Sequence, residues 1–382
     1  MRSIYLDYAA ATPLDPRVLR AMQPYFSQNF HNPSATYLAG RAARKDLDKA
    51  RASVARNLGA RPGEVIFTAG ATEANNLAVN GVMRRYPDSE LLVSSIEHES
   101  VLAPAGQFNS RQIPVTPQGM VDTAKLQKML TDKTVLVSVM LINNELGTIQ
   151  PLRKISQILN KLSNSRRLAG NKLPLYLHTD AAQAPSYLGL QTTRLGVDLL
   201  TVNGGKIYGP KQTGALYVHS AVKLKPQILG GGQEYGLRSG TENVAGAVGL
   251  AKALDIAQKQ RHEEVEKLEG LRKFFVGRLQ QQLPKTIING SDKHQSPHIV
   301  NVTFPGIDNE RLMMELDERG VQVAVGSACS ASQSEASHVL KAIGLSDELA
   351  RASLRFSFGR PTTIRDLGKT LRLISLVLSN NR

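Results

Sequence analysis

The residues with the most chemical potential stand just beyond short apolar runs. Lys206 lies in TVNGGKIYGPKQTG (201–214), behind two glycines and ahead of a Tyr-Gly-Pro-Lys turn. A solvated surface lysine needs no such bend, whereas a lysine that must approach another molecule closely does. Asp180 ends LPLYLHTD, with Gln183 three residues on. His98 ends LLVSSIEH, and Asn143, Asn144 and Glu145 follow VLVSVMLI. In TAGATEANN (68–76), Gly70 joins a strand-like run to a helix start, where free N–H groups and the helix dipole favour an anion.

Each feature alone has an ordinary explanation: an Asp after a strand is usually an N-cap, and a lone lysine is usually surface. Together they meet the needs of pyridoxal phosphate. The lysine forms a Schiff base, the aspartate keeps the pyridine nitrogen protonated, and the helix start binds the phosphate.

The elements that must position these residues follow from periodicity. From residue 64 short apolar runs alternate with helical patterns. EVIFTAG, ELLVSSIEHES, TVLVSVMLINNE, LPLYLHTDAAQ, VDLLTVNGGK and GALYVH read as strands, and ATEANNLAVNGVMRRY, TAKLQKMLT and LRKISQILNKLSN as helices. Such alternation predicts βαβ units and an α/β fold with a mostly parallel sheet, in which ligands bind beyond the carboxyl ends of the strands. Near residue 249 the texture changes to one long helix (249–283), short strands (PHIVNVTFPG, VQVAVG, ASLRFSFG) and a closing helix, a smaller α+β domain. The expected division is an arm over 1–12 packing with the small domain, across the cleft or against a partner subunit, a large domain over 13–248 and the small domain over 249–382.

Composition narrows the class. Hydrophobic content of 41% and charged content of 21% are those of a globular chain, and 382 residues suffice for two domains. No apolar run reaches the roughly 18–20 residues of a membrane span, and the amino terminus lacks a secretory pattern. A single cysteine, Cys329, excludes an internal disulfide and fits a reducing, cytoplasmic setting. The net charge of +15 is dispersed rather than gathered in one tract, so RNA binding is only weakly indicated. The histidines are scattered, and no metal site is expected.

Nine stretches in order, YLDYAAATPLDPRV, FTAGATEANNLA, IEHESVL, NNELGTIQP, HTDAAQA, KIYGPKQTGALYV, LRSGTENVAG, GSACSAS and SLRFSFGRPTT, carry a resemblance to the cysteine desulfurases of the class V aminotransferase fold, fold type I, from about Tyr5 to Thr363. The resemblance implies a homodimer that uses pyridoxal 5'-phosphate to take sulfur from L-cysteine and release alanine. Residue by residue, it makes Lys206 the Schiff-base lysine and Asp180 the partner of the pyridine nitrogen. Gln183 would bond the ring hydroxyl, and His98 would stack on the ring and assist proton transfer. Ala71 and Thr72 would bind the phosphate with Asn203 and Gly205, joined by Thr241 of the second subunit. Asn144 and Arg355 would grip the substrate carboxylate. Alternation in SLRFSFG independently sets Arg355 on the face opposite Leu354, Phe356 and Phe358.

Cys329 lies among small and polar residues, VGSACSASQSEASH, which reads as a mobile, exposed thiol rather than a core cysteine. Its implied role is to attack the substrate sulfur, keep it as a persulfide and present it to an acceptor protein for iron–sulfur cluster assembly or tRNA thiolation. Three departures stand out. Asn203-Gly204-Gly205-Lys206 replaces the family's Ser-x-His-Lys, Tyr37 follows NPS where a histidine is frequent, and the longer carboxyl-terminal tail of some members is missing. Two alternatives stay open at this stage. One is a lyase or aminotransferase on another amino acid; the other is a cofactor-poor regulatory paralogue.

Overall fold

A computed structural model describes residues 3–326 and 336–380. The chain opens on β1 (Ile4–Tyr5), then α1 (Pro16–Met22), α2 (Pro24–Ser27) and α3 (Leu38–Leu58). The central strands are β2 (Val65–Thr68), β3 (Glu90–Ser94), β4 (Ser110–Ile113), β5 (Thr134–Ser138), β6 (Tyr176–Asp180), β7 (Leu199–Asn203) and β8 (Gly214–Val218). Between them run α4 (Ala71–Met83), α5 (Glu99–Ala105), α6 (Thr123–Met129), α7 (Leu152–Leu168) and α8 (Thr192–Leu195). The remainder is α9 (Val244–Gln282), β9 (Ile287–Asn289), β10 (Ile299–Thr303), α10 (Asn309–Glu318), β11 (Val321–Gln322), α11 (His338–Ala342), α12 (Asp347–Ala350), β12 (Ser353–Ser357) and α13 (Ile364–Asn380).

The central sheet has the order β2-β8-β7-β6-β5-β3-β4. Only β8 runs antiparallel to its neighbours, so this is the expected α/β fold with a mostly parallel sheet. Its middle strands are buried along their whole length, as helices covering both faces require. The carboxyl ends of β2, β3, β5, β6 and β7 lie at one edge, and the loops that leave them carry Gly70, His98, Asn144, Asp180 and Lys206.

A second, antiparallel sheet, β12-β10-β9, follows α9 in the chain. The amino-terminal arm joins it. β1 pairs in parallel with β11, Asp7 bridges to Ser357, and the Ala9 N–H donates to Ser357 Oγ at 2.9 Å. The arm therefore brings Asp7, Ala9 and Ala10 against the edge where the central strands end.

Two elements escape the sequence patterns. α3 buries a stripe of small residues, Ala43, Leu47, Ala50, Val54 and Leu58, whose alanines give a weak hydrophobic signal. β4 (Ser-Arg-Gln-Ile) is an edge strand with its two central side chains exposed, so it has no run of apolar residues to mark it.

Candidate functional site

At the end of β7 the chain makes one tight turn, Gly204–Lys206. A Cβ on Gly204 would sit 2.3 Å from Thr213 Oγ1 and 2.8 Å from Pro210 O, and one on Gly209 would sit 2.8 Å from Gly204 O. Only glycine fits at these two positions, and their close approach folds the 204–214 loop under Lys206. Gly205 is different: a Cβ there would meet nothing nearer than 3.6 Å, so packing leaves room for a side chain. Asn203 Oδ1 accepts the Gly205 N–H at 3.1 Å. The one donor that glycine can offer is thus used inside the turn, and the Asn203 Nδ2 amide is the group left for a ligand. Lys206 Nζ donates to Ala10 O at 2.6 Å, which ties the lysine to the amino-terminal arm.

Lys206 opens on a cavity of about 770 Å³ lined also by Ala71, Thr72, His98, Asn144, Asp180, Gln183, Asn203 and Arg355. Asp180 is fixed at both oxygens: Oδ1 accepts the Ala182 N–H at 2.8 Å and Oδ2 accepts Asn75 Nδ2 at 2.7 Å. The same Asn75 amide nitrogen donates to Ser100 Oγ at 2.9 Å, and Ser100 Oγ lies 2.9 Å from His98 Nδ1. His98 Nδ1 also accepts the Ser100 N–H at 3.0 Å, capping α5, so the neutral ring carries its proton on Nε2. One fully buried amide therefore links the aspartate to the imidazole. The sequence offered a signal for Asn75, a polar residue on the apolar face of α4 between Ala74 and Leu77, but the motif reading stopped at Thr72.

Gln183 is held at both ends of its amide. Nε2 donates to Ala9 O at 2.9 Å, and Oε1 lies 3.2 Å from Nε2 of His298, whose ring stacks on Tyr187 with centroids 3.9 Å apart. One Nε2 hydrogen stays available for the cavity. Burial lowers the His298 imidazole to about 3, with the Arg355 charge adding to the effect, so it is neutral.

Glu97 is fully buried at the cavity wall. Its Oε1 accepts the Met140 N–H at 2.6 Å, and its Oε2 has no partner among the described residues. Burial pushes its carboxyl up to about 8; the Met140 bond opposes the shift and the nearby Asp180 charge adds to it. The folded protein thus keeps a proton that the unfolded chain releases near its ordinary value, 4.5. The stability tied to that proton is complete below the unfolded value and is lost as pH rises toward 8. Glu97→Gln cannot ionise, so it should match the parent near pH 5 and exceed it by on the order of 2–4 kcal/mol near pH 8. Urea unfolding at both pH values measures this; a difference that does not change with pH would mean Glu97 does not titrate in the window.

Arg355 is not the surface residue that strand alternation alone would allow. It is 3% exposed, with Nη2 on Asp7 Oδ1 at 2.6 Å and Nη1 on Asn144 O at 2.9 Å, while Nε has no partner among the described residues. Asp7 had not been singled out from sequence; its motif neighbours carry no charge to suggest an ion pair.

A second cavity of about 560 Å³ adjoins the first and shares Ala10, Ala71, Thr72, Asn203 and Lys206 with it; Gly70, Gly205 and Lys211 also line it. α4 starts there without a side-chain cap, and Gly70, at φ 124°, would have open space around a Cβ. An uncapped helix start beside a lysine, facing a buried carboxylate across one continuous space, fits the phosphate, aldehyde and pyridine nitrogen of pyridoxal 5'-phosphate. Ala71, Thr72 and Asn203 would hold the phosphate, Lys206 the aldehyde carbon and Asp180 the ring nitrogen. Thr241 is exposed and lines neither cavity. Cys329 lies outside the described residues, although Gly326 and Ala336, which flank its segment, line the larger cavity. Among the described residues no group of three or more His, Cys, Asp or Glu could hold a metal ion.

Residues 4–369 match the family described as Aminotransferase class-V. The chain is 39% identical to "Cysteine desulfurase IscS" of Dictyoglomus turgidum over 100% of its own length and 96% of that protein. It is 40% identical to "Cysteine desulfurase IscS 1" of Archaeoglobus fulgidus over 99% and 97%. A solved structure named as a NifS-like protein superposes with a TM-score of 0.90 at 31% identity, covering 99% of this chain and 100% of that one. The chain belongs to the class-V aminotransferase family, fold type I enzymes that work with pyridoxal 5'-phosphate.

Proposed function

We propose that this protein is a cysteine desulfurase: with pyridoxal 5'-phosphate it takes sulfur from L-cysteine as a persulfide on Cys329 and releases L-alanine. The observation that carries the reading is the convergence of Lys206, Asp180, His98 and Arg355 on one cavity, whose wall continues into the residues flanking the Cys329 segment. Similarity over nearly the whole chain to proteins named as cysteine desulfurases supports the same reaction.

When bound, the cofactor supplies an electron sink conjugated to the amino acid. The protein's own groups do the rest. Arg355 and Asn144 take the substrate α-carboxylate and so fix which way its thiol points. His98, with Nε2 protonated in its neutral form, moves protons at the substrate amine and carbon. The Cys329 thiolate attacks the substrate sulfur, so an S–S bond forms and the substrate Cβ–S bond breaks. The electron pair of that bond stays on carbon, which takes up a proton and leaves as alanine, and the extra sulfur stays on Cys329. It then passes to an acceptor protein of iron–sulfur cluster assembly or tRNA thiolation. No helix among the described residues is long and apolar enough to cross a membrane, and the chemistry suits a reducing cytoplasm.

The working unit in this reading is a homodimer with a large domain over 13–248 and a small one over 249–382. Exposed Phe26, Phe30, Tyr37, Leu38, Leu229 and Tyr235 support the dimer, because a monomer gains nothing by leaving such groups in water. Thr241, exposed and remote from its own chain's cavity, would reach the partner's phosphate site.

Incubation with pyridoxal 5'-phosphate, L-cysteine and a reductant should release sulfide and alanine in equal amounts. Cys329→Ser should keep the yellow cofactor and lose the sulfide; persistent sulfide would remove Cys329 from the reaction. Alanine without sulfide, or pyruvate in its place, would favour an aminotransferase or lyase.

A further inference from the structure

Glu145 follows Asn144 in the loop that leaves β5 and is buried at 2% exposure, yet the reaction described above gives it no task. Its Oε2 accepts the Ser337 hydroxyl at 2.6 Å, and both groups are buried. The same oxygen lies against Gly326, where a Cβ would come within 3.0 Å of it and where φ is 78°. Gly326 and Ser337 stand on either side of the 327–335 segment that contains Cys329. The next residue on the far side, His338, donates from Nε2 to Glu97 O at 3.0 Å, beside His98.

On the upstream side, Asn144 accepts Arg355 Nη1 through its carbonyl, and Glu145 N donates to Asn143 Oδ1 at 2.9 Å. One short stretch of backbone thus carries the carboxylate that meets both flanks of the cysteine segment and the carbonyl that orients the substrate-gripping arginine. A buried carboxylate costs several kcal/mol unless it is paired or hydrogen-bonded, so Glu145 binds its partners tightly in a fixed geometry.

We propose that Glu145 is a positioning residue. With Ser337 it fixes the flanks of the Cys329 segment relative to the bound amino acid, so the thiol is registered against the same backbone that holds the substrate carboxylate. This rests on the reading of Cys329 as the sulfur-accepting thiol.

The test uses the holoenzyme and the variants Ser337→Ala, Ser337→Thr, Glu145→Ala and Glu145→Gln. The first readout is the midpoint of the cofactor-band change on titrating L-cysteine. The second is the single-turnover rate at which Cys329 gains one sulfur by intact mass. The third is the alkylation rate of Cys329 by iodoacetamide without substrate, which is unambiguous because the chain has one cysteine.

Ser337→Ala and Glu145→Ala should leave the L-cysteine midpoint within about twofold, slow persulfide formation about tenfold and raise the alkylation rate. Ser337→Thr keeps the hydroxyl and Glu145→Gln keeps an acceptor oxygen, so both should return most of the rate. The double alanine variant should be no slower than the slower single variant, because the two changes remove one contact. Persulfide and alkylation rates within twofold of the parent in both alanine variants would overturn the proposal. So would a slowing that Ser337→Thr and Glu145→Gln share in full. If the parent itself gains no sulfur from L-cysteine, the desulfurase reading fails. The alkylation arm then decides the positioning role alone: faster alkylation in the alanine variants supports it, and unchanged alkylation overturns it.

Discussion

Lys206→Ala should yield a folded protein that no longer holds pyridoxal 5'-phosphate covalently and turns over L-cysteine about 10³-fold more slowly or worse. The fold should survive because the turn is shaped by Gly204 and Gly209, whose close contacts involve Thr213, Pro210 and each other rather than the lysine. The one printed bond lost is Nζ to Ala10 O, worth about 1 kcal/mol at a partly buried site. The chemistry should not survive. Lys206 is the one lysine lining the larger cavity among the described residues, and no other primary amine there can take its place. Lys206→Arg is the informative companion, since it keeps a cation that can reach Ala10 but has no amine able to condense with an aldehyde. Borohydride reduction of the loaded protein, followed by mass spectrometry of the peptide around residue 206, reads the covalent link directly. A reduced adduct of unchanged yield in the alanine variant would place the link elsewhere.

The sheet was legible because its middle strands are uniformly apolar and its helices carry a 3.6-residue period; each announces itself within its own segment. The site was legible where function imposes residue types in order, as at Thr72, His98, Asp180, Lys206 and Arg355. What stayed hidden depends on chain segments far apart in sequence. Nothing local to Asp7 says that it will meet Arg355, 348 residues away, and nothing in SEASH says that Ser337 will meet Glu145. Asn75 is an intermediate case. Its burial on an alanine-rich face was readable, but its two partners, Asp180 and Ser100, come from different strand ends and needed the parallel topology to bring them together.

The departure at Asn203-Gly204-Gly205 shows how a local rule can mislead. The turn requires glycine at 204 and merely tolerates it at 205, so the missing side chain at 205 is a change in the ligand-facing wall and not a backbone necessity. Asn203 offsets part of that loss by closing the turn with Oδ1 and turning its amide N–H groups outward. Cofactor retention in this chain therefore leans more heavily on the α4 start and on the covalent link than a serine–histidine pair would require.

Arg355→Leu should raise the KM for L-cysteine about 100-fold, roughly 2.7 kcal/mol, with a smaller change in kcat. The guanidinium already spans Asp7 and the Asn144 carbonyl, and its buried Nε–H has no partner among the described residues. An incoming α-carboxylate can complete the fork from that side, and leucine removes the fork while keeping bulk. Asp7, 19% exposed at its side chain, would lose its buried partner but keep some water, so the stability penalty should be about 1–3 kcal/mol rather than that of a fully buried ion. Cysteamine, which has the thiol and amine of L-cysteine but no carboxylate, separates the two effects. The parent should prefer L-cysteine strongly in kcat/KM, and the leucine variant should lose that preference while handling cysteamine nearly as the parent does. A variant that loses both substrates in equal proportion would mean that Arg355 supports the arm and the cofactor wall through Asp7, and that the carboxylate is gripped by another group.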